Sequence, residues 1–196
     1  MTSSIVTPNG LIFRDRNLDN EEHLALRNYG ADSTFFHAIA QGQSEALSHN
    51  PAFQEFSNLA KARRDAIDRV FTISRLIKEQ MLWSGHGHGW GIRGALVGAP
   101  SDFIGLKYRY PGYISTSSER SWCDAFLEKR NRQESRPTLL QLNLPAQFPA
   151  IDMRDGASQG EFEVLLPRNL IFAITDAASL PRDILQLTLS PVETEV

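Results

Sequence analysis

Three short segments of the chain carry residue types that can do chemistry together. Arg93 lies inside an apolar run, residues 115–117 are three consecutive hydroxyl side chains, and Glu161 and Glu163 are acids one residue apart. A guanidinium binds anionic oxygens through a planar fork of donors. Residues two positions apart on a strand share one side, so both carboxylates can face one cleft. Each segment alone is common, but the three in this order indicate a site.

These segments need a sheet to bring them together. Six runs rich in β-branched and apolar residues, bounded by Pro, Gly, Asn and Asp, predict strands. One helix, from Ser118 to about Lys129, separates them. Because strands mostly follow strands, we expect an antiparallel α+β sheet rather than alternating βαβ units. The predicted strands are residues 92–97, 108–116, 138–144, 163–166, 170–174 and 184–189.

The first part of the chain has helical patterning. Asp19 followed by Glu22 is typical of a capping box, and the helix that it opens should end at Gly30. A second helix is predicted from residue 32 or 33. Apolar residues at three- and four-residue steps after Asn50-Pro51 predict a third, which is either one long helix or two with a bend, ending near residue 81.

A change of pattern divides the chain near residues 84–91, which are rich in Gly and His and are predicted to form a loop. Its two histidines, His86 and His88, are too isolated from other ligands for us to predict a metal site. We expect residues 1–17 to be a flexible N-terminus or a delivery signal. Residues 18–196 should form a single domain, helical over 18–83 and strand-rich over 90–190.

Composition narrows the class of protein. The chain has 196 residues, a formal net charge of −3 and one cysteine. The single Cys123 excludes an internal disulfide framework and Cys-rich zinc modules, and the balanced charge argues against a nucleic-acid binder. No apolar run approaches the length of a membrane span, and the start lacks the layout of a secretory signal. The Ser/Thr-containing start is compatible with a non-Sec export signal.

The three segments together resemble the arginine–STS–glutamate signature of the mono-ADP-ribosyltransferases. That family includes clostridial binary toxins, bacterial effectors and vertebrate arginine-modifying ectoenzymes. Residues 21–30 resemble its first helix, and the whole resemblance runs from about 18 to 190. It implies an α+β fold in which N-terminal helices pack on two roughly perpendicular, mainly antiparallel sheets that form an NAD cleft.

The resemblance also implies catalytic roles. Glu163 would stabilise the positive charge that develops on the ribose as the bond to nicotinamide breaks. Ser115 would orient Glu163 by hydrogen bonding. Glu161 would orient the incoming guanidinium and help to remove its proton, and a Glu at this position goes with arginine as the acceptor in the family.

A wider set of residues would bind NAD, with Arg93 contacting phosphate or ribose oxygens. Within it, Thr116 and Ser117 have the character of scaffold residues, and Trp122 rivals Phe126 as the aromatic that stacks on nicotinamide. Arg109 competes with Arg93 but lies too close to Ser115 to occupy a separate preceding strand. The implied NAD-binding residues are Arg93, Gly94, Ser115, Thr116, Ser117, Phe126 and Glu163.

The function implied is transfer of ADP-ribose from NAD, as substrate, to an arginine of a target protein. We expect the protein to bind neither a metal nor a nucleic acid, and to be a monomer. By analogy, the chain would be a bacterial toxin or virulence effector, secreted by a non-Sec route into the cytoplasm of a host cell. The alternatives are an NAD glycohydrolase with water as acceptor, and a non-catalytic partner-binding protein on the same fold.

Overall fold

Helices and strands alternate unevenly along the computed structural model, which describes residues 5–31, 51–86, 98–129, 136–155 and 163–192. The described residues include three α-helices: α1 (Asn20–Ala31), α2 (Pro51–Ile73) and α3 (Arg120–Lys129). The strands are β1 (Ile5–Val6), β2 (Ile12–Arg14), β3 (Ser74–Leu76), β4 (Gln80–His86), β5 (Lys107–Tyr110), β6 (Ile114–Ser117), β7 (Thr138–Leu144), β8 (Ile151–Asp152), β9 (Glu163–Leu166), β10 (Leu170–Leu180) and β11 (Ile184–Pro191).

The described strands form two sheets, which confirms the α+β prediction. The smaller sheet has the order β1-β2-β3, and the larger has the order β5-β10-β11-β7-β4-β6-β9-β8. Every pairing is antiparallel except that of β11 with β7. Consequently β6, which carries the three hydroxyls, lies between β4 and β9.

Helix α1 begins as its sequence predicts. The Glu22 N–H donates to Asp19 Oδ1 at 2.8 Å, and the Asp19 N–H donates to Glu22 Oε2 at 2.9 Å. This reciprocal box satisfies two backbone donors that the first turn would otherwise leave unpaired. It fixes the start of the helix that carries Tyr29 near its other end.

Two hydrophobic clusters lie on opposite faces of the strands that carry the candidate site. One unites α1 and α2 with the side chains of Tyr113, Ile151 and Leu165. The other contains Leu82, Ile114 and Val164, together with residues of β7, β10 and β11. Since neighbouring residues on a strand point to opposite faces, residue 115 takes the face of Tyr113 and Leu165, toward the helices.

The structure corrects several predicted boundaries. Helix α2 ends at Ile73, and β3 and β4 occupy the region expected to remain helical to about residue 81. Residues 84–86, expected in a loop, end strand β4. Residues 5–14 include the paired strands β1 and β2, whose Ile12 is fully buried, within the segment expected to be a flexible N-terminus or a delivery signal.

Other boundaries move less. The run 108–116 is divided into β5 and β6 around Pro111, whose lack of an N–H interrupts a ladder. The predicted second helix and the strand at 92–97 lie outside the described residues. Within the described ranges, no helix is long and apolar enough to cross a membrane.

Candidate active site

Strands β6 and β9 bring Ser115 and Glu163 to one face of the large sheet. Ser117 pairs directly with Glu163, Thr116 with Val164, and Ser115 with Leu165. Directly paired residues share a face, and Ser115 lies two positions from Ser117, so Ser115 and Glu163 are diagonal neighbours. Such neighbours have Cα atoms about 7–8 Å apart, within reach of a long side chain. The register therefore places the Ser115 hydroxyl and the Glu163 carboxylate on the same face of the sheet.

Helix α1 adds a third polar group to this pair. The Tyr29 hydroxyl lies 3.2 Å from Ser115 Oγ, and its ring meets Tyr113 edge-on with centroids 5.8 Å apart. Tyr29 has no exposed surface. Burial raises the pKa of the phenol, the hydrogen bond with Ser115 lowers it, and the negative charge of Glu163 raises it further. The phenol therefore stays protonated near neutral pH, and its pKa depends in part on the charge of Glu163.

The other two hydroxyls of β6 have local bonds. Thr116 is buried, and its Oγ1 donates to the Val164 carbonyl at 2.6 Å on the face opposite Ser115. Ser117 Oγ accepts the Glu119 N–H at 3.0 Å, just before α3 begins. These bonds give Thr116 a structural role between β6 and β9, and give Ser117 one at the start of the helix.

Strand β4 forms the other side of the site, with little regular pairing to β6. The two strands pair only at Trp83 and Ser117. Beyond that point Ser84 Oγ donates to the Ser115 carbonyl at 2.7 Å and lies 3.0 Å from His86 Nε2. Because Ser84 has one hydroxyl hydrogen, which goes to the carbonyl, the bond with His86 requires that Nε2 carry a hydrogen and donate it.

Helix α3 packs against β4 at Gly85. A Cβ at this position would meet the Cys123 carbonyl oxygen at 3.2 Å and Phe126 Cδ1 at 3.3 Å, so a side chain here would require α3 to shift by a few tenths of an ångström. Phe126 is 38% exposed and Trp122 47% exposed, so both present aromatic surface. The Phe126 ring lies against β4 at Gly85, on the face of the sheet that Trp83 shares with Ser117. Which of the two aromatic residues stacks on nicotinamide stays a prediction.

Cys123 faces the packed side of the same helix. It is buried, and burial raises its pKa to about 11. The thiol is therefore protonated and inert at neutral pH, in agreement with the ordinary structural role expected from the sequence.

Some predicted site residues fall beyond the part of the chain that the structure describes: Arg93, Gly94 and Glu161, together with His88. Arg109, the competing arginine, is exposed on β5, which is separated from β6 by four strands, and it approaches Asn169 at 3.4 Å. Within the described ranges, no group of three or more His, Cys, Asp or Glu side chains is placed to hold a metal ion.

Sequence reasoning did not identify the bond from Ser84 to the Ser115 carbonyl, and it linked Tyr29 to the family's first helix without a role. The Gly and His around position 85 gave a loop signal that concealed β4. The one available signal was the apolar run at 81–83, which a strand explains as well as a helix end does.

Comparison with known proteins supports this architecture. The family model of the ADP-ribosyltransferase exoenzymes matches residues 63–190. The Clostridium limosum C3 exoenzyme has a TM-score of 0.68 and 20% identity, over 90% of this chain and 87% of that one. C3stau2 from S. aureus, solved with NAD, has a TM-score of 0.61 and 17% identity, over 90% of this chain and 88% of that one.

A further similar structure is the ADP-ribosyltransferase Vis, solved with agmatine, which gives a TM-score of 0.62 and 15% identity over 91% of this chain and 77% of that one. Another structure of Vis names its source as Vibrio splendidus. No curated protein sequence matches the chain. At these identities the structural matches establish the fold, which is that of known bacterial ADP-ribosyltransferases.

Proposed function

The chain belongs to the ADP-ribosyltransferase exoenzyme family, and we propose that it transfers a single ADP-ribose from NAD to an arginine of a target protein. Nicotinamide is the leaving group. The observation that carries the proposal is the placement of Ser115 and Glu163 as diagonal neighbours on β6 and β9. Relatives solved with NAD and with agmatine support the two substrates, since agmatine presents a guanidinium group.

The reaction exchanges one bond at C1′ of the ribose for another. As the bond from C1′ to the nicotinamide nitrogen breaks, its electron pair leaves with nicotinamide and positive charge develops on the sugar. The Glu163 carboxylate stabilises that charge beside the ribose 2′-hydroxyl, while Ser115 holds the carboxylate in place. A guanidinium nitrogen of the acceptor then bonds to C1′, and its proton passes to Glu161.

NAD is held by the other residues of the proposal. Arg93 and Gly94 contact its phosphates, and Phe126 stacks on nicotinamide beside β4. Support for Phe126 comes from its partial exposure and its position against Gly85. Delivery into a host cell as a secreted effector belongs to the same proposal and is supported by the toxins among the similar structures.

Removal of the Glu163 carboxylate tests the proposal. We expect Glu163→Gln to lower the transfer of labelled ADP-ribose to polyarginine by at least about 100-fold, because the group that stabilises the transition state is lost. Glu79→Gln is the matched control, since Glu79 is exposed at the turn before β4. Full transfer by Glu163→Gln would disprove the catalytic role of this residue. Absence of transfer by the wild-type protein would disprove arginine as the acceptor.

Glu161→Gln separates the transferase from the alternatives. A transferase should lose arginine modification but still release nicotinamide from NAD. A glycohydrolase should release nicotinamide without labelling protein in either form, and a non-catalytic binding protein should do neither. Labelled NAD in a cell lysate, followed by mass spectrometry of the labelled band, would identify the target and the modified residue together.

A further inference from the structure

Ser115 is held from two sides by residues of other elements. Its carbonyl accepts the Ser84 hydroxyl from β4, and its own hydroxyl lies 3.2 Å from the Tyr29 hydroxyl of α1. Tyr29 has no exposed surface, so water does not compete for this bond. Helix α1 thereby reaches directly to the side chain that is diagonal to Glu163.

The charge of Glu163 favours one direction of this hydrogen bond. A phenol is a stronger donor than an alkyl hydroxyl, and the charge of Glu163 acts on the Tyr29 phenol. A chain of hydroxyls beside a carboxylate is polarised toward the negative charge. In the favoured direction the Tyr29 O–H donates to Ser115 Oγ, which leaves the Ser115 hydrogen available to a carboxylate on the same face.

We propose that Tyr29 is a positioning residue, which fixes the Ser115 hydroxyl as a donor to Glu163 and so keeps that carboxylate ionised and correctly placed. The inference rests on the proposed function, in which Glu163 stabilises the ribose in the transition state. It assigns to α1 a part in the chemistry that its packing role alone does not require.

Tyr113 provides a contrast within the same cluster. It is also buried and meets Tyr29 edge-on, but its hydroxyl donates to Asp68 Oδ1 at 2.7 Å and lies 3.1 Å from the Arg64 carbonyl, both on α2. A merely structural tyrosine hydroxyl in this core therefore bonds helix to strand and does not touch Ser115. Tyr113→Phe is the matched control for Tyr29→Phe.

The first test measures nicotinamide release from NAD by four proteins: wild type, Tyr29→Phe, Ser115→Ala and the double variant. We expect Tyr29→Phe to lower kcat about three- to tenfold, the effect of one neutral hydrogen bond, with KM within twofold. The double variant should be no slower than Ser115→Ala, because both changes break the same chain. Tyr113→Phe should lose stability without this change in kcat.

A second measurement does not depend on activity. The pKa of Glu163, followed by the NMR shift of its labelled carboxyl carbon, should rise in Tyr29→Phe and in Ser115→Ala, and no further in the double variant. An unchanged pKa in Tyr29→Phe, or an unchanged kcat in an active enzyme, overturns the inference. A wild-type protein that releases no nicotinamide overturns the proposed function, while the pKa series still decides the role of Tyr29.

Discussion

The strand that carries Ser115 has two unlike neighbours. On one side β9 pairs with β6 through four consecutive residues, and the Thr116 hydroxyl adds a bond across the same boundary. On the other side β4 pairs with β6 at one position only, and a side-chain hydroxyl from Ser84 takes the next carbonyl. The carboxylate of Glu163 belongs to the regular side, and the Ser84–His86 pair to the open one.

This difference shows how the two edges of one strand can be held by unlike contacts. A continuous ladder holds Glu163 in a defined register with Ser115, as charge stabilisation requires. Where the ladder with β4 stops, the Ser84 hydroxyl supplies the contact to β6, and α3 packs closely on β4 at Gly85.

The open side depends on close packing of α3, and Gly85→Val should break it. The added side chain would clash with Phe126 and with the Cys123 carbonyl. That carbonyl belongs to the backbone of α3, so it can move only if the helix moves. We expect a loss of about 2–3 kcal/mol in the free energy of unfolding, seen in a thermal scan as a Tm about 5–10 °C lower. Gly85→Ala should cost less. A Tm of Gly85→Val within a degree of the wild type would mean that α3 does not lock β4.

The sequence predicted the regular side better than the open side, because local interactions form the first and interactions between distant residues form the second. Strands 138–144 and 163–166 were predicted to the residue, and the capping box of α1 was read correctly from Asp19 and Glu22. These are local patterns, in which hydrophobic spacing and caps suffice. Ser115 and Glu163, which lie on the regular side, were therefore singled out by residue type, and their catalytic roles stay predictions.

The open side was not visible, because its contacts join distant parts of the chain. The bond between Tyr29 and Ser115 spans 86 residues, and that between Ser84 and the Ser115 carbonyl spans 31. Glycine has low strand propensity, yet pairing with β7 along the whole of β4 overrides it at Gly85. Tertiary pairing, which a single sequence does not display, decided this strand.

Helix α1 supports Ser115 through a buried charge, which makes that support dependent on pH. Arg16 donates to both Glu22 oxygens, at 2.7 and 2.8 Å, and Glu22 has no exposed surface. The hydrogen bond from Arg16 lowers the pKa of Glu22, an effect that its burial partly opposes. The pair therefore stabilises the fold above the unfolded pKa of about 4.3, and this contribution is lost as the pH falls through the lower folded value.

Glu22→Gln should consequently lower the free energy of unfolding in urea at pH 7 by about 1–2 kcal/mol. This is the range for a hydrogen bond to a charged group whose partner is half-exposed. The difference from the wild type should shrink below about pH 4, where Glu22 protonates in the unfolded chain. Glu21→Gln is the control, because Glu21 is exposed and its pair with Arg69 at 3.1 Å is on the surface. Equal losses for the two variants would contradict a special role for the buried carboxylate.

The sharpest test compares the two boundaries of β6 by removing one hydroxyl from each. Thr116→Val removes the bond to Val164 without changing shape, and the four-residue ladder with β9 remains, so we expect a loss of about 0.5–1 kcal/mol. Ser84→Ala removes the donor to the Ser115 carbonyl where regular pairing with β4 has already ended, and leaves His86 Nε2 without that acceptor. A partly buried carbonyl left without a donor costs about 1–2 kcal/mol, so this variant should be less stable than Thr116→Val by about 1 kcal/mol in urea unfolding. If Thr116→Val is the more costly change, the Ser84 hydroxyl does not replace the missing ladder, and the two sides of β6 are held in the same way.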